Sequence, residues 1–147
     1  KRENEYLRHG TVQEQALENI QRFVELQKEI NLHVIARPTV TLLNVYHLPE
    51  TLEWLDGMGI RHNATHLAYP EHLSVTVLPD SAKKLISDKF KSYDYQNDLT
   101  RKNCEYIANY MNSKDDSHQL AEFKRNTEFL DRSRSQSFKD SYPYFDF

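Results

Sequence analysis

The stretch "INLHVIARPTVTLLNVYHLPETLEWLDGMGI", Ile30 to Ile60, decides how the chain is read. Ile30 to Arg37 alternates and is rich in β-branched residues, which predicts a strand. Pro38 has no amide to give a ladder, so it ends that strand or leaves it at an edge. Thr39 to Asn44 predicts a second extended piece. Leu48-Pro49-Glu50-Thr51 then opens a short helix, with proline near the first helical position and an acid in the first turn. Leu52, Trp54 and Leu55 form its expected buried side. Gly57 and Gly59 stop it.

Upstream, Thr11-Val12-Gln13-Glu14 fits a capping box, in which the Thr11 hydroxyl and the Glu14 carboxylate each satisfy an orphan amide. Val12, Ala16, Ile20, Phe23 and Val24 follow at helical spacing, with Leu17 and Leu26 widening the stripe, so a helix is predicted over residues 11–28. Gly10 frees the turn into it. Downstream, Ala64–Tyr69 predicts a strand ending at Pro70, and Leu73–Leu78 a further strand or extended segment. Pro79-Asp80-Ser81 opens a helix with Ala82, Leu85, Ile86 and Phe90 on one side. Two more helices are predicted, residues 99–111 facing inward with Cys104, Ile107 and Met111, and residues 117–130 with Leu120, Phe123 and Leu130. The aromatic tail from Tyr142 to Phe147 is expected to dock. The order helix, strand, helix, strand, helix predicts β-α-β crossovers and a small parallel sheet. Such a sheet needs cover on both faces, so the chain reads as the second half of something larger. Its first residue, Lys1, leaves room for residues upstream.

Composition narrows the function. The chain has 147 residues, 38% of them hydrophobic, and a net charge of −3. That balance does not favour a nucleic-acid or membrane partner. Neither a long apolar run nor a signal-peptide core is present, and a cytoplasmic location is expected. Cys104 is the sole cysteine, so neither an internal disulfide nor a cysteine-built metal site can form within these residues. Three glycines do not make a phosphate loop.

The residues also resemble a family. Glu5-Tyr6-Leu7-Arg8-His9-Gly10-Thr11 with Leu17-Glu18-Asn19-Ile20 is similar to a signature of radical S-adenosylmethionine (SAM) proteins, in the branch with a twitch or SPASM-type domain. Arg37–Asn44, Leu48–Leu55, Tyr69–Ser74 with Leu78-Pro79, and the closing Glu122-Phe123, Leu130–Arg134 and Ser137-Phe138 match further motifs in order. The resemblance implies an α/β fold: a partial (half) parallel β/α barrel fragment with a C-terminal helical extension. Residues 1–80 would be the β/α units and residues 81–147 the extension. In that family the helix after the arginine packs outside the barrel.

The resemblance also implies chemistry. The parent would reductively cleave SAM at a [4Fe–4S] cluster and start radical chemistry on a substrate the sequence does not identify. This half would form part of the SAM pocket and be inactive alone, with the missing N-terminal half of the same protein as its partner. The family's Cys-x₃-Cys-x₂-Cys and Gly-Gly-Glu segments are absent. Arg8 would pair with the SAM carboxylate, because a guanidinium fork matches a carboxylate bidentately; the alternative is a surface arginine. Asn44, at a strand end, would contact SAM near its adenosine; the alternative is a turn or cap residue. Thr41 is a weaker neighbour, as is Thr39, and β-propensity alone explains both.

Other residues offer less chemistry. Seven histidines make no ligand pattern. Tyr69 and His72 could line a cavity or a loop. Lys124, Arg125, Arg132 and Arg134 make a basic run that could touch nucleic acid, but Glu122, Glu128 and Asp131 dilute it, and it reads better as a solvated helix face. The rival reading for the whole chain is a non-enzymatic α/β interaction module, binding a partner protein through a sheet edge and the aromatic tail.

Overall fold

The computed structural model describes residues 2–143 and 145. They belong to two compact units, one of Lys1–Asn31 with Ala121–Phe147 and one of Leu32–Leu120.

The second unit holds every strand among the described residues. β1 (Ile35–Ala36) pairs in parallel with β3 (Arg61–His62), and β2 (Thr39–Val40) with β4 (Thr65–His66). Ile35 faces Arg61, Ala36 His62, Thr39 Thr65 and Val40 His66, so residues 35–40 and 61–66 run in one register. Pro38 causes the break between the two pieces, since it has no N–H to donate. The ladder still bridges it: the Thr65 amide donates to Pro38 O at 3.0 Å and the Asn63 amide to Ala36 O at 3.1 Å.

α3 (Leu48–Gly57) crosses between the paired stretches. Its Leu48, Leu52 and Leu55 are buried at i, i+4 and i+7. Trp54 falls two positions from Leu52 and is exposed, contrary to expectation. The stop is as read, with Gly59 at φ +71. α4 (Asp80–Ser92) and α5 (Asp98–Met111) follow. Ile86 and Phe90 are buried one turn apart, while the expected inward Leu85 lies off that stripe and is exposed. Lys83 is buried instead, its ammonium donating to Lys114 O at 2.9 Å. Cys104, Ile107 and Met111 of α5 are fully buried, as the spacing predicts. Residues 73–78 form no strand; single 3₁₀ turns occupy Glu71–Leu73 and Val75–Val77, the second closed by Ser74 accepting from the Thr76 amide.

The first unit contains α1 (Arg2–Leu7), α2 (Gln13–Glu29), most of α6 (Leu120–Arg134) and α7 (Phe138–Ser141). Its interior is an aromatic nest. Tyr6 meets Phe138 and Tyr142 edge-on, each at 5.8 Å, and Phe138 stacks on Tyr142 at 5.0 Å and meets Phe123 at 5.5 Å. Asp131 ties the nest together, accepting from the Tyr6 hydroxyl at 2.8 Å and the Phe138 amide at 2.9 Å. Burial, with Asp131 beside it, holds the Tyr6 phenol well above its ordinary range. The tail docks as far as it is described, with Tyr142 fully buried; Tyr144, Asp146 and Phe147 lie outside the described residues. α2 starts at Gln13 with Val12 at the N-cap, where no side chain caps the helix. The expected Thr11 capping box is therefore not the device that starts it. Gly10 does take the left-handed turn, at φ +84.

The expected α/β class, a partial parallel β/α barrel fragment, is overturned. Helix accounts for 64% of the structure, and the strands reduce to two parallel two-stranded sheets. The chain is a small helical protein. Alternation over Ile30–Arg37 and Ala64–Tyr69 overstated the sheet, because a strand forms only where a neighbour takes up its hydrogen bonds. Here each stretch has one pairing partner among the described residues.

Candidate functional site

Parallel pairing sets the carboxyl ends of β2 and β4 side by side, the edge at which ligands bind in parallel sheets. Thr41 and Asn44 sit together at this edge. Asn44 Oδ1 accepts from the Thr41 amide at 2.8 Å, and its Nδ2 donates to Thr39 O at 3.0 Å. Thr41 Oγ1 accepts from the Leu43 amide at 3.2 Å. Both side chains close a local turn, which is what asparagine and threonine do when a strand must end. One lone pair on Asn44 Oδ1 and one N–H remain for a ligand.

On the neighbouring strand His66 is held by α5. Its ring stacks on Tyr110 at 3.6 Å, and Nδ1 lies 2.8 Å from the Tyr106 hydroxyl. Neither tyrosine stood out in the sequence, although their spacing of four puts both on one helix face. Below, Asn103 anchors the strand pair to α5, accepting from the Ala64 amide at 2.7 Å and donating to Leu99 O at 2.9 Å. Asp56, half-buried, and the buried His62 and Thr100 form a further cluster. His62 Nε2 is 3.0 Å from Asp56 Oδ1, and the Thr100 hydroxyl donates to Asp56 Oδ2 at 2.7 Å. His62 Nδ1 has no hydrogen-bond partner among the described residues. This histidine holds α3, β3 and α5 together.

A cleft of about 640 Å³ lies along the α4–α5 hairpin. That size falls within the range of small-molecule sites. The buried Phe90 lines the cleft. Tyr93 and Tyr95, their centroids 5.0 Å apart, form one wall. The linker carrying them is fixed by Glu53, which accepts from the Gln96 amide at 2.9 Å and the Tyr93 hydroxyl at 3.4 Å. Burial and the Cys104 thiol push the Tyr95 phenol up, and burial pushes the Cys104 thiol up to about 11. Arg101 on the rim is engaged by Asp98 and Glu105.

Arg8 lies just beyond α1 and is exposed, its amide donating to Asn4 O at 2.9 Å. It belongs to the first unit, and Thr41 and Asn44 to the second. Tyr69 is 83% exposed, so it lines no cavity. No group of three or more histidine, cysteine or acidic side chains is placed to hold a metal ion among the described residues. A [4Fe–4S] cluster does not fit the residues present: the single thiol is buried and held protonated, and cluster irons take thiolates.

α2 carries an exposed apolar surface. None of its residues is buried. Val12, Phe23, Leu26 and Ile30 lie along one arc at helical spacing, with Phe23 54% and Ile30 57% exposed. No helix among the described residues is long and apolar enough to cross a membrane. Comparison with protein-family models, with curated proteins and with solved structures finds no match.

Proposed function

We propose that this chain is the carboxyl-terminal portion of a radical SAM protein, supplying binding surface rather than redox chemistry. The observation that carries the reading is a coincidence of sequence and structure. One of the five collinear motif matches, Glu5 to Ile20, falls on the segment leading into α2 and on its first turns. The resemblance implies that this helix packs against a further part of the protein, and α2 leaves its apolar arc exposed. An uncovered stripe of this kind marks a contact surface. Thr41 and Asn44 retain one acceptor and one donor position at the strand ends, where a ligand would meet them. The cluster and the cleavage of SAM to a 5′-deoxyadenosyl radical would belong to residues upstream.

The test is the reading frame extended 5′ of Lys1. Its product, reconstituted with iron and sulfide and reduced with dithionite, is expected to release 5′-deoxyadenosine from SAM; residues 1–147 alone are expected to release none and to show no absorbance near ~400 nm, the region expected for such clusters by resemblance. An extended frame without Cys-x₃-Cys-x₂-Cys, or a reconstituted product that leaves SAM intact, would sink the reading. The same arc on α2 supports a second reading, a non-catalytic module that binds another protein. A start codon directly before Lys1, with a complex lost on Phe23→Glu, would favour it.

A further inference from the structure

We infer that the α4–α5 cleft is a binding site for a small planar aromatic ligand carrying an anionic group, such as a nucleotide-sized aromatic monophosphate. The inference rests on the 32–120 unit alone, so it stands or falls independently of the reading above. Three features carry it. The cleft is large enough, at about 640 Å³. Phe90, Tyr93 and Tyr95 give it an aromatic lining, and rings favour offset or edge-on contact with another ring. The wall is preorganised by the Glu53 contacts to Tyr93 and Gln96, so little ordering is left to oppose binding.

The polar lining supplies the anion and edge contacts. Lys91 makes no ion pair within 4 Å among the described residues, and Arg101, though paired, adds positive charge on the same rim. Asp98 and Glu105 offset Arg101, while Lys91 feels Asp88 without forming an ion pair within 4 Å, which leaves Lys91 the less engaged cation for an anionic substituent. Asn112 uses its Nδ2 on Ala108 O at 2.7 Å and Ser87 Oγ at 3.2 Å, so its Oδ1 is free to accept from a ligand edge. Asn109, one turn earlier on the same helix face, adds a second amide. A cationic ligand would meet Lys91 and Arg101 first, and an aliphatic one would waste the ring wall.

The experiment is a titration of the ¹⁵N-labelled chain with adenosine 5′-monophosphate, followed by amide and side-chain NMR shifts. Saturable shifts are expected at the Asn109 and Asn112 side chains and around Tyr93–Tyr95, with a Kd of about 1 mM or tighter. Adenosine, lacking the anion, and ribose 5-phosphate, lacking the ring, are each expected to bind several-fold more weakly. Lys91→Glu, at an exposed position, should weaken binding about tenfold while leaving the rest of the spectrum unchanged. The absence of saturable shifts would overturn the inference. So would shifts that ribose 5-phosphate reproduces in full and Lys91→Glu leaves unchanged, since those would mark general anion attraction to a surface.

Discussion

α2 and α5 are both amphipathic, both uninterrupted, and 17 and 14 residues long. α5 buries Thr100, Asn103, Cys104, Ile107 and Met111, whereas α2 has no fully buried residue. Periodicity tells where a helix wants cover. It does not tell whether the cover lies within the same 147 residues. α5 finds α3, α4 and the strand pair; α2 half-covers Ala16, Ile20 and Val24 and leaves the arc through Phe23 and Leu26 to solvent.

The sharpest way to break this comparison is paired truncation. Ile107→Ala should cost about 3 kcal/mol in urea unfolding, because a fully buried side chain leaves a cavity. Phe23→Ala should cost about 0.5 kcal/mol or less, as an exposed position does. Equal costs would mean that α2 is packed in solution. Phe23→Glu should in addition reduce binding of a hydrophobic dye without lowering stability.

Next comes the polar side of α5. Asn103→Ala removes both contacts that tie Ala64 and Leu99 together, and is expected to cost roughly 2 kcal/mol because the Ala64 amide is left buried without its partner.

Cys104 gives a chemical readout of the same helix. Its thiol is pushed up to about 11 by burial, so at pH 8 roughly a thousandth is thiolate. Alkylation by iodoacetamide should be slow until urea unfolds the chain. The linkage sign follows. The unfolded thiol ionises first, the folded state then holds more protons, and stability should fall as pH rises from about 8.5 toward 11.

The smallest effect is expected away from both helices, at Asp116. Lys114 first, and then the Thr76 hydroxyl at 2.6 Å, hold its carboxyl below the ordinary range. That stabilisation is present above the unfolded carboxyl value and lost as pH falls through the lower folded one. Asp116→Asn should lower Tm by roughly 2 °C at pH 7 and by less at pH 3, since a partly exposed ion pair contributes little.

How much of this was legible differs by element. α3, α4 and α5 followed from spacing and from Pro49, Gly59 and Asp80, all local signals. The errors at Trp54 and Leu85 came from counting apolar residues rather than following their angle around the helix. The strands were located near the right residues but overextended, since two partners do not make a sheet and no local pattern reports the missing ones. At the site, Thr41 and Asn44 were legible as neighbours, and the turn role held as Asn44's alternative is the one its contacts show. Tyr106, Tyr110, Asp56 and Thr100 were missed because their partners lie about 40 residues away. The cleft was missed for a related reason: it needs two helices and their linker at once.

The aromatic nest has a kinetic consequence. Tyr6 and Asp131 are 125 residues apart, and bringing such distant points together costs about 4 kcal/mol of chain entropy before any contact rewards it. Closure of this ring should therefore come late, so that Tyr6→Phe hastens unfolding and scarcely changes the refolding rate. Proteolytic loss of the segment that carries Phe138 and Tyr142 should open Tyr6 and Phe123 to water before residues 32–120 are touched.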